Sequence, residues 1–239
     1  MPDNGHTATH QLPEHAFTMT NKQKHSLYVF DFDGTLTTRD TLLEFLRFAH
    51  GSVGFWASLA VFLPRLLLMR LHLRDNGLTK QQLFAWHFRG MPTADFDALC
   101  RRFADSHRHL LRKAGMETIV RAKAEGARVL IVSASVDNWV APFFADTNGK
   151  DNGQSGQTTP PSAPVEVLGT RLEVCDGRLT GRFLTPNCYG AEKVKRLKAA
   201  VPALDTDRSN YHITAFGDSR GDKELLEFAD EQHYKPFRQ

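Results

Sequence analysis

The chain has 239 residues, of which 24% are charged and 41% hydrophobic, and its formal net charge is +3. A chain of this length buries one large hydrophobic core, or one core and a smaller lobe, and this composition is typical of a soluble globular protein. The weak positive charge, with no block of lysine and arginine, does not favour a nucleic-acid-binding protein.

Short apolar runs rich in β-forming residues predict the strands of the fold. The N-terminal segment 1–26 is polar and has no signal-peptide core, so we expect it to be disordered. The predicted strands cover residues 27–32, 128–133 and 211–216, and helical patterns at 116–126 and 191–201 lie between them. This alternation predicts an α/β protein with a Rossmann-like, doubly wound parallel sheet.

Three stretches depart from this alternation. Residues 40–113 carry helical patterns without a clear strand, which predicts a helical cap inserted into a core made of residues 27–39 and 114–239. Residues 148–164 are rich in Gly, Gln, Ser, Thr and Pro and predict a mobile loop. The pair Asp176-Gly177 between two alternating segments predicts a β-hairpin.

Polar residues follow each predicted strand. Asp31 and Asp33 end the first, Ser133 the second and Asp218 the third, while Lys193 opens a helix. In an open α/β sheet the carboxyl ends of the strands form the ligand-binding edge. Clustered carboxylates there would repel one another unless a hard cation such as Mg²⁺ lies among them, and this combination suits phosphoryl transfer.

Four segments in order, "DFDGT", "VLIVSAS", "GAEKVKRL" and "FGDSRGDKELLEFAD", resemble the motifs of the haloacid dehalogenase superfamily. The helical insert after the first motif resembles the type-1 cap of the phosphoserine-phosphatase-like branch, subfamily IB. The resemblance covers roughly residue 27 to the C-terminus, and it implies a phosphatase that works through an aspartyl-phosphate.

The resemblance also implies a role for each motif residue. Asp31 would be the nucleophile and Asp33 the general acid/base. Ser133 and Lys193 would bind phosphate, and Lys193 would also steady Asp31. Mg²⁺ would be held by the Asp31 carboxylate, the main-chain carbonyl of Asp33 and Asp218, and Asp222 would hold metal-bound water or Lys193.

The sequence departs from the phosphoserine phosphatase pattern at several positions. Gly221 stands where that group usually has asparagine, and Ala134 and Ser135 stand where it has two glycines. Asp40 matches the acidic residue that reads the substrate's amino group, but it also suits the N-cap of the next helix. The motifs therefore do not favour phosphoserine as the substrate.

The apolar stretch 54–73 allows three interpretations. Pro64, Arg65 and Arg70 interrupt it, which argues against a transmembrane helix. We favour two cap helices packed on each other, which would hide Phe55, Trp56, Leu59 and Phe62 from water. The remaining interpretation is a lipid-facing surface.

The sequence as a whole predicts a Mg²⁺-dependent phosphomonoester hydrolase with a small phosphorylated metabolite as substrate. One alternative is a lipid head-group phosphatase, phosphatidylglycerophosphate-like, at the membrane face, and another is a non-catalytic phosphate-binding protein. No nucleic-acid partner is expected, membrane association is not favoured, and the sequence indicates no oligomeric state. The three cysteines lack metal-ligand spacing, so we expect reduced thiols in a cytoplasmic protein.

Overall fold

A computed structural model of the chain describes residues 24–70, 76–148 and 163–238. Within these residues the strands are β1 (His25–Phe30), β2 (Arg128–Val136), β3 (Glu166–Thr170), β4 (Leu172–Cys175), β5 (Arg178–Phe183), β6 (Tyr211–Gly217) and β7 (Glu231–Tyr234). Five of them form one parallel sheet in the order β3-β2-β1-β6-β7, and β4 pairs with β5. Strand β1 is therefore central.

The helices cover both faces of this sheet and extend beyond its carboxyl edge. They are α1 (Thr41–Arg70), α2 (Asn76–Phe88), α3 (Thr93–Ser106), α4 (Lys113–Ala124), α5 (Asp137–Val140), α6 (Ala191–Ala200), α7 (Ala203–Thr206) and α8 (Lys223–Phe228). Strand and helix alternate after α3, as the sequence predicts, and the doubly wound α/β fold is confirmed.

The edges of the sheet differ from the prediction. Strand β1 ends at Phe30, so Asp31 follows the strand directly rather than lying inside it. Strands β3 and β7 were not predicted. All four residues of β7 are exposed, because it is an edge strand. Although the ring of His233 stacks on that of Phe216 at 4.6 Å, β7 lacks the apolar run that marks a buried strand.

The predicted hairpin is observed, with both Asp176 and Gly177 at positive φ as a two-residue turn requires. It lies outside the main sheet and contacts the helical insert. Gly90 donates its amide to the carbonyl of Leu179 at 2.7 Å, and Leu179 returns a bond to Met91 at 2.9 Å. The hairpin therefore extends the layer formed by α1 to α3.

Two hydrophobic clusters lie on opposite faces of the sheet. One contains Leu27, Val29 and Leu197. The other runs from the sheet into the helical insert through aromatic rings in contact: Phe32 with Phe143 at 5.4 Å between centroids, Phe143 with Phe103 at 5.7 Å, and Phe103 with Phe45 at 5.2 Å. The cap and core boundaries near residues 40 and 113 stay a prediction. The predicted tail up to residue 23 and the loop from residue 149 to 162 lie outside the described residues, whereas His25 and Ser26, which the prediction gave to the tail, form the start of β1.

The expectation that α1 and α2 bury their apolar residues against each other is wrong for Trp56. Helix α1 is interrupted at Gly51, whose φ is +67°. Beyond it Phe62 is 4% exposed, Phe55 and Leu59 are half-buried, and Trp56 is 63% exposed. Helix α2 covers only one side of this segment, which leaves the other side facing outwards.

One helical stretch, Thr41–Pro64, is long and apolar enough to cross a membrane by length and composition, and most of it is not buried inside the protein.

Candidate active site

A cavity of about 340 Å³ opens beyond the carboxyl end of β1. It is lined by all but one of the residues that the sequence singled out: Asp31, Asp33, Asp40, Lys193, Asp218 and Asp222. Residues that the sequence did not predict also line it, among them Lys80 of α2 and Tyr189. Its volume suits a small ligand.

The Lys193 side chain joins two of these carboxylates at the base of the cavity. Its ammonium lies 2.5 Å from Asp31 Oδ1 and 2.5 Å from Asp222 Oδ1, and all three side chains are buried. Burial disfavours the charge of Lys193, but the two carboxylates raise the pKa of Lys193 above its usual value. Burial raises the pKa of Asp31 to about 7, against the opposing pull of Lys193.

The Asp222 carboxylate organises the turn after β6. Its Oδ2 accepts bonds from the amide of Asp218 at 3.1 Å and from the amide and hydroxyl of Ser219 at 2.9 and 2.8 Å. Burial favours the neutral acid, but Lys193 and Ser219 hold the pKa of Asp222 below its usual range. Asp222 therefore positions Lys193 through Oδ1 and the loop that carries Asp218 through Oδ2. Both oxygens of Asp222 accept hydrogen bonds.

The Asp33 carboxylate is held from two sides. Its Oδ1 accepts bonds from the amide and the hydroxyl of Thr41, at 2.7 and 2.6 Å, and its Oδ2 accepts one from the Ser135 hydroxyl at 2.5 Å. Sequence reasoning missed both partners. The sequence did mark Ser135 as unusual, because it replaces a glycine of the related motif. Thr41 was marked only by its position at the start of a helix, which does not indicate a contact with Asp33.

Asp40 lies at the rim of the cavity and caps α1. Its Oδ1 accepts the amide of Leu42 at 2.9 Å, which is the contact expected of an N-cap residue. Asp40 therefore acts as the N-cap of α1. A contact of Asp40 with substrate stays a prediction.

Ser133 is the predicted residue that does not line the cavity. Its hydroxyl is buried and accepts the amide of Ser135 at 3.0 Å, while its neighbour Ala134 faces the cavity. The role of Ser133 as a phosphate ligand stays a prediction.

The acidic residues fit a hard divalent cation. Oxygens of Asp31, Asp218 and Asp222 lie within 4.8 Å of one another. Since Asp222 already accepts four hydrogen bonds, Asp31 and Asp218 are the carboxylates best able to bind a metal. Asp218 also pairs with Arg238, and burial raises the pKa of its carboxyl.

Two glycines make room around this site. At Gly34, with φ of +79°, an added Cβ would lie 2.5 Å from Asp218 Oδ2. At Gly221 it would lie 2.4 Å from the ring of Tyr189. Tyr189 therefore occupies the space that the asparagine of the related motif would need, which explains that departure.

Comparisons with known proteins identify the family of this chain. The sequence model of a family described as haloacid dehalogenase-like hydrolase matches residues 28–227. Protein CicA of Caulobacter vibrioides is 32% identical over 225 residues, which cover 92% of this chain and 91% of CicA.

Solved structures share the fold. A protein of unknown function from Bordetella pertussis Tohama I has a TM-score of 0.65 at 20% identity, over 85% of this chain and 86% of that one. A substrate-bound phosphoserine phosphatase has a TM-score of 0.54 at 17% identity, over 88% and 86%. At these identities the likeness concerns the fold, and it confirms a phosphoserine-phosphatase-like architecture.

Proposed function

This chain belongs to the haloacid dehalogenase-like hydrolases, and from that membership we propose that it is a Mg²⁺-dependent phosphomonoester hydrolase acting through an aspartyl-phosphate. The observation that carries the proposal is the buried Asp31–Lys193–Asp222 group, with Asp33 held beside it in the same cavity. A protein that only bound phosphate would have no need of the second acid, which argues against the non-catalytic alternative.

Asp31 supplies the nucleophile. Lys193 binds Oδ1, which leaves Oδ2 to attack phosphorus. A bond forms between Oδ2 and phosphorus as the bond to the ester oxygen breaks, and the substrate alcohol departs. Water then attacks the aspartyl-phosphate, which releases inorganic phosphate and restores the Asp31 carboxylate. Lys193 stays charged and neutralises the negative charge around the phosphoryl group.

Asp33 moves the proton in both steps. It gives a proton to the departing alcohol oxygen and later takes one from the attacking water. The Ser135 hydroxyl supports this exchange, because a hydroxyl donates to ionised Oδ2 and accepts from protonated Oδ2. The amide of Thr41 can only donate, so the proton belongs on Oδ2 rather than Oδ1.

We expect Asp33→Asn to slow turnover by about 10²–10⁴-fold, because the amide carries no transferable proton. The phosphorylated enzyme should accumulate, visible by intact-protein mass spectrometry as the mass of one phosphoryl group. Ser135→Ala removes one of three donors to Asp33 and should cause a smaller loss, while Ser106→Ala, which removes an exposed hydroxyl on α3, should cause none. Wild-type turnover by Asp33→Asn would exclude this role.

Asp31, Asp218 and the main-chain carbonyl of Asp33 are the groups that would hold Mg²⁺. The bound ion would neutralise part of the substrate's phosphate charge and so permit an anionic nucleophile to approach. The oxygen-only donor set supports Mg²⁺ over softer metals.

Treatment with a chelator should abolish phosphatase activity, and added Mg²⁺ should restore it, as measured with p-nitrophenyl phosphate. Carboxylates that repel one another need the cation to bind a phosphate dianion. The melting temperature serves as the control, because it shows whether the metal-stripped protein remains folded at the assay temperature. Undiminished activity of metal-stripped protein would refute the metal requirement.

A small phosphorylated metabolite fits the cavity volume of about 340 Å³. A second candidate, a lipid head-group phosphatase, is supported by the exposed side of α1 around Trp56. A panel of phosphorylated metabolites that includes lipids would decide between them. We also propose a cytoplasmic location, which rests on three free cysteines.

A further inference from the structure

An unusual apolar surface covers the outer side of α1 beyond the interruption at Gly51. We call it the apolar stripe: Val53, Trp56, Ala57, Ala60, Leu63, Pro64 and Leu67. Their spacing puts them on one side of the helix, and every one is exposed. A surface helix of a soluble domain normally turns its polar side outwards, whereas this helix is apolar on its outer side as well as on the inner side that carries Phe62.

The neighbouring helix widens this surface. Trp86 of α2 is 63% exposed, and its ring lies 6.0 Å from that of Phe62, which anchors α1 on α2. Each of the two packed helices therefore carries one exposed tryptophan. Large continuous apolar surfaces on a folded protein mark contacts with a partner or a membrane, and tryptophan is enriched where a protein meets the lipid–water interface.

The charge of this segment indicates which partner it fits. Between Glu44 and Asp75 the sequence has no Asp or Glu, whereas it has four arginines: Arg47, Arg65, Arg70 and Arg74. Apolar residues combined with purely positive charge complement an anionic lipid surface, which attracts each arginine and accepts the apolar side chains. We propose that the apolar stripe docks this protein on the surface of an anionic membrane.

The geometry favours docking on the membrane over crossing it. The first turns of α1 are tied to the catalytic region, because Thr41 binds Asp33 and Phe45 is fully buried. A span that included them would have to pull them out of the hydrophobic core. Beyond Gly51, Ser58 and Phe62 remain buried on the inner side, so the helix presents one side only. The protein therefore lies on the bilayer with α1 parallel to its plane.

The docking surface lies on elements that also form the active site. Helix α2 carries Trp86 outwards and contributes Lys80 to the catalytic cavity, and α1 begins at the residue that holds Asp33. A docked enzyme would therefore have its cavity close to the lipid surface. The docking itself does not depend on the proposed catalytic function and is tested by binding alone.

Co-sedimentation with vesicles tests the proposal on the full-length protein. We expect it to pellet with an equal mixture of phosphatidylcholine and phosphatidylglycerol, more weakly at high salt, and poorly with phosphatidylcholine alone. Trp56→Glu should bind about tenfold more weakly, because it removes a large apolar side chain and adds a repelled charge. Its melting temperature should stay at the wild-type value, since Trp56 is exposed.

The matched control is Val120→Glu, which alters a residue 59% exposed on α4, outside the stripe, and should pellet like the wild type. Leu67→Glu is a second replacement within the stripe, and it should weaken vesicle binding as Trp56→Glu does. Failure of the wild type to pellet, or equal binding by Trp56→Glu and Val120→Glu, would overturn the proposal. A different result would also overturn it: a wild-type protein that does not bind vesicles and forms a dimer in sedimentation velocity, with Trp56→Glu dissociating that dimer. The stripe would then bind a second copy of the chain.

Discussion

Replacing Asp31 with asparagine should lower phosphatase activity by on the order of 10⁴-fold or more, because in the proposed mechanism the Asp31 carboxylate is the group that forms the phosphoenzyme. Asparagine keeps the size of the side chain and its bond to Lys193 at Oδ1. Burial already raises the pKa of Asp31 to about 7, so a neutral amide should cost the fold little. The measurement is steady-state hydrolysis of p-nitrophenyl phosphate beside a thermal melt.

The control for Asp31→Asn is Asp205→Asn. It removes a carboxylate from the short helix α7, where it pairs with Lys198 at the surface, and should leave the rate unchanged. An Asp31→Asn protein that is fully folded and still turns over at the wild-type rate would rule out Asp31 as the nucleophile.

Replacing Lys193 with methionine should affect both activity and stability. It leaves the carboxylates of Asp31 and Asp222 buried without a cation, and removing one partner of a buried ion pair costs about 3–5 kcal/mol of unfolding free energy. Phosphatase activity should be lost as well, since Asp31 is no longer oriented. Denaturant titration of both proteins measures the free-energy difference.

The stability deficit of Lys193→Met should shrink as pH falls. Without Lys193, nothing offsets the burial that already raises the folded-state pKa of Asp31 above the unfolded value of about 3.9. The folded state then binds more protons than the unfolded state, so its stability decreases as pH rises through those pKa values. The deficit should therefore be larger at pH 7 than near pH 5.

Lys195→Met provides the comparison for Lys193→Met on the same helix. The Lys195 side chain is 80% exposed, and its replacement should change neither stability nor activity appreciably. Equal stability of Lys193→Met and Lys195→Met at pH 7 would contradict the structural role of the buried ammonium.

The sequence was sufficient to predict the central strands, because the middle of β1, β2 and β6 is buried and each strand therefore carries a short apolar run. It was insufficient for β7, whose four residues are all exposed and form no apolar run. The burial of a strand decides how visible it is in the sequence, so the centre of the sheet is predictable and its edges are not.

The same contrast holds for the candidate site. Asp31, Asp33, Lys193 and Asp218 belong to recognisable motifs at strand ends and helix starts, and they line one cavity. The partners of Asp33 come from separate elements, Thr41 at the start of α1 and Ser135 in β2, and only the folded chain brings them together. The exposure of Trp56 likewise depends on how much of α1 its neighbour α2 covers.

The aromatic contacts that run from Phe32 through Phe143 and Phe103 to Phe45 have a consequence for modularity. A lobe attached only through linkers could be exchanged between relatives as an independent folding unit. Here, excising the helices would expose the rings of Phe32 and Phe143 to water at the base of the catalytic sheet. The two regions share one hydrophobic cluster, so sequence changes in the helices must be compatible with the folding of the whole chain.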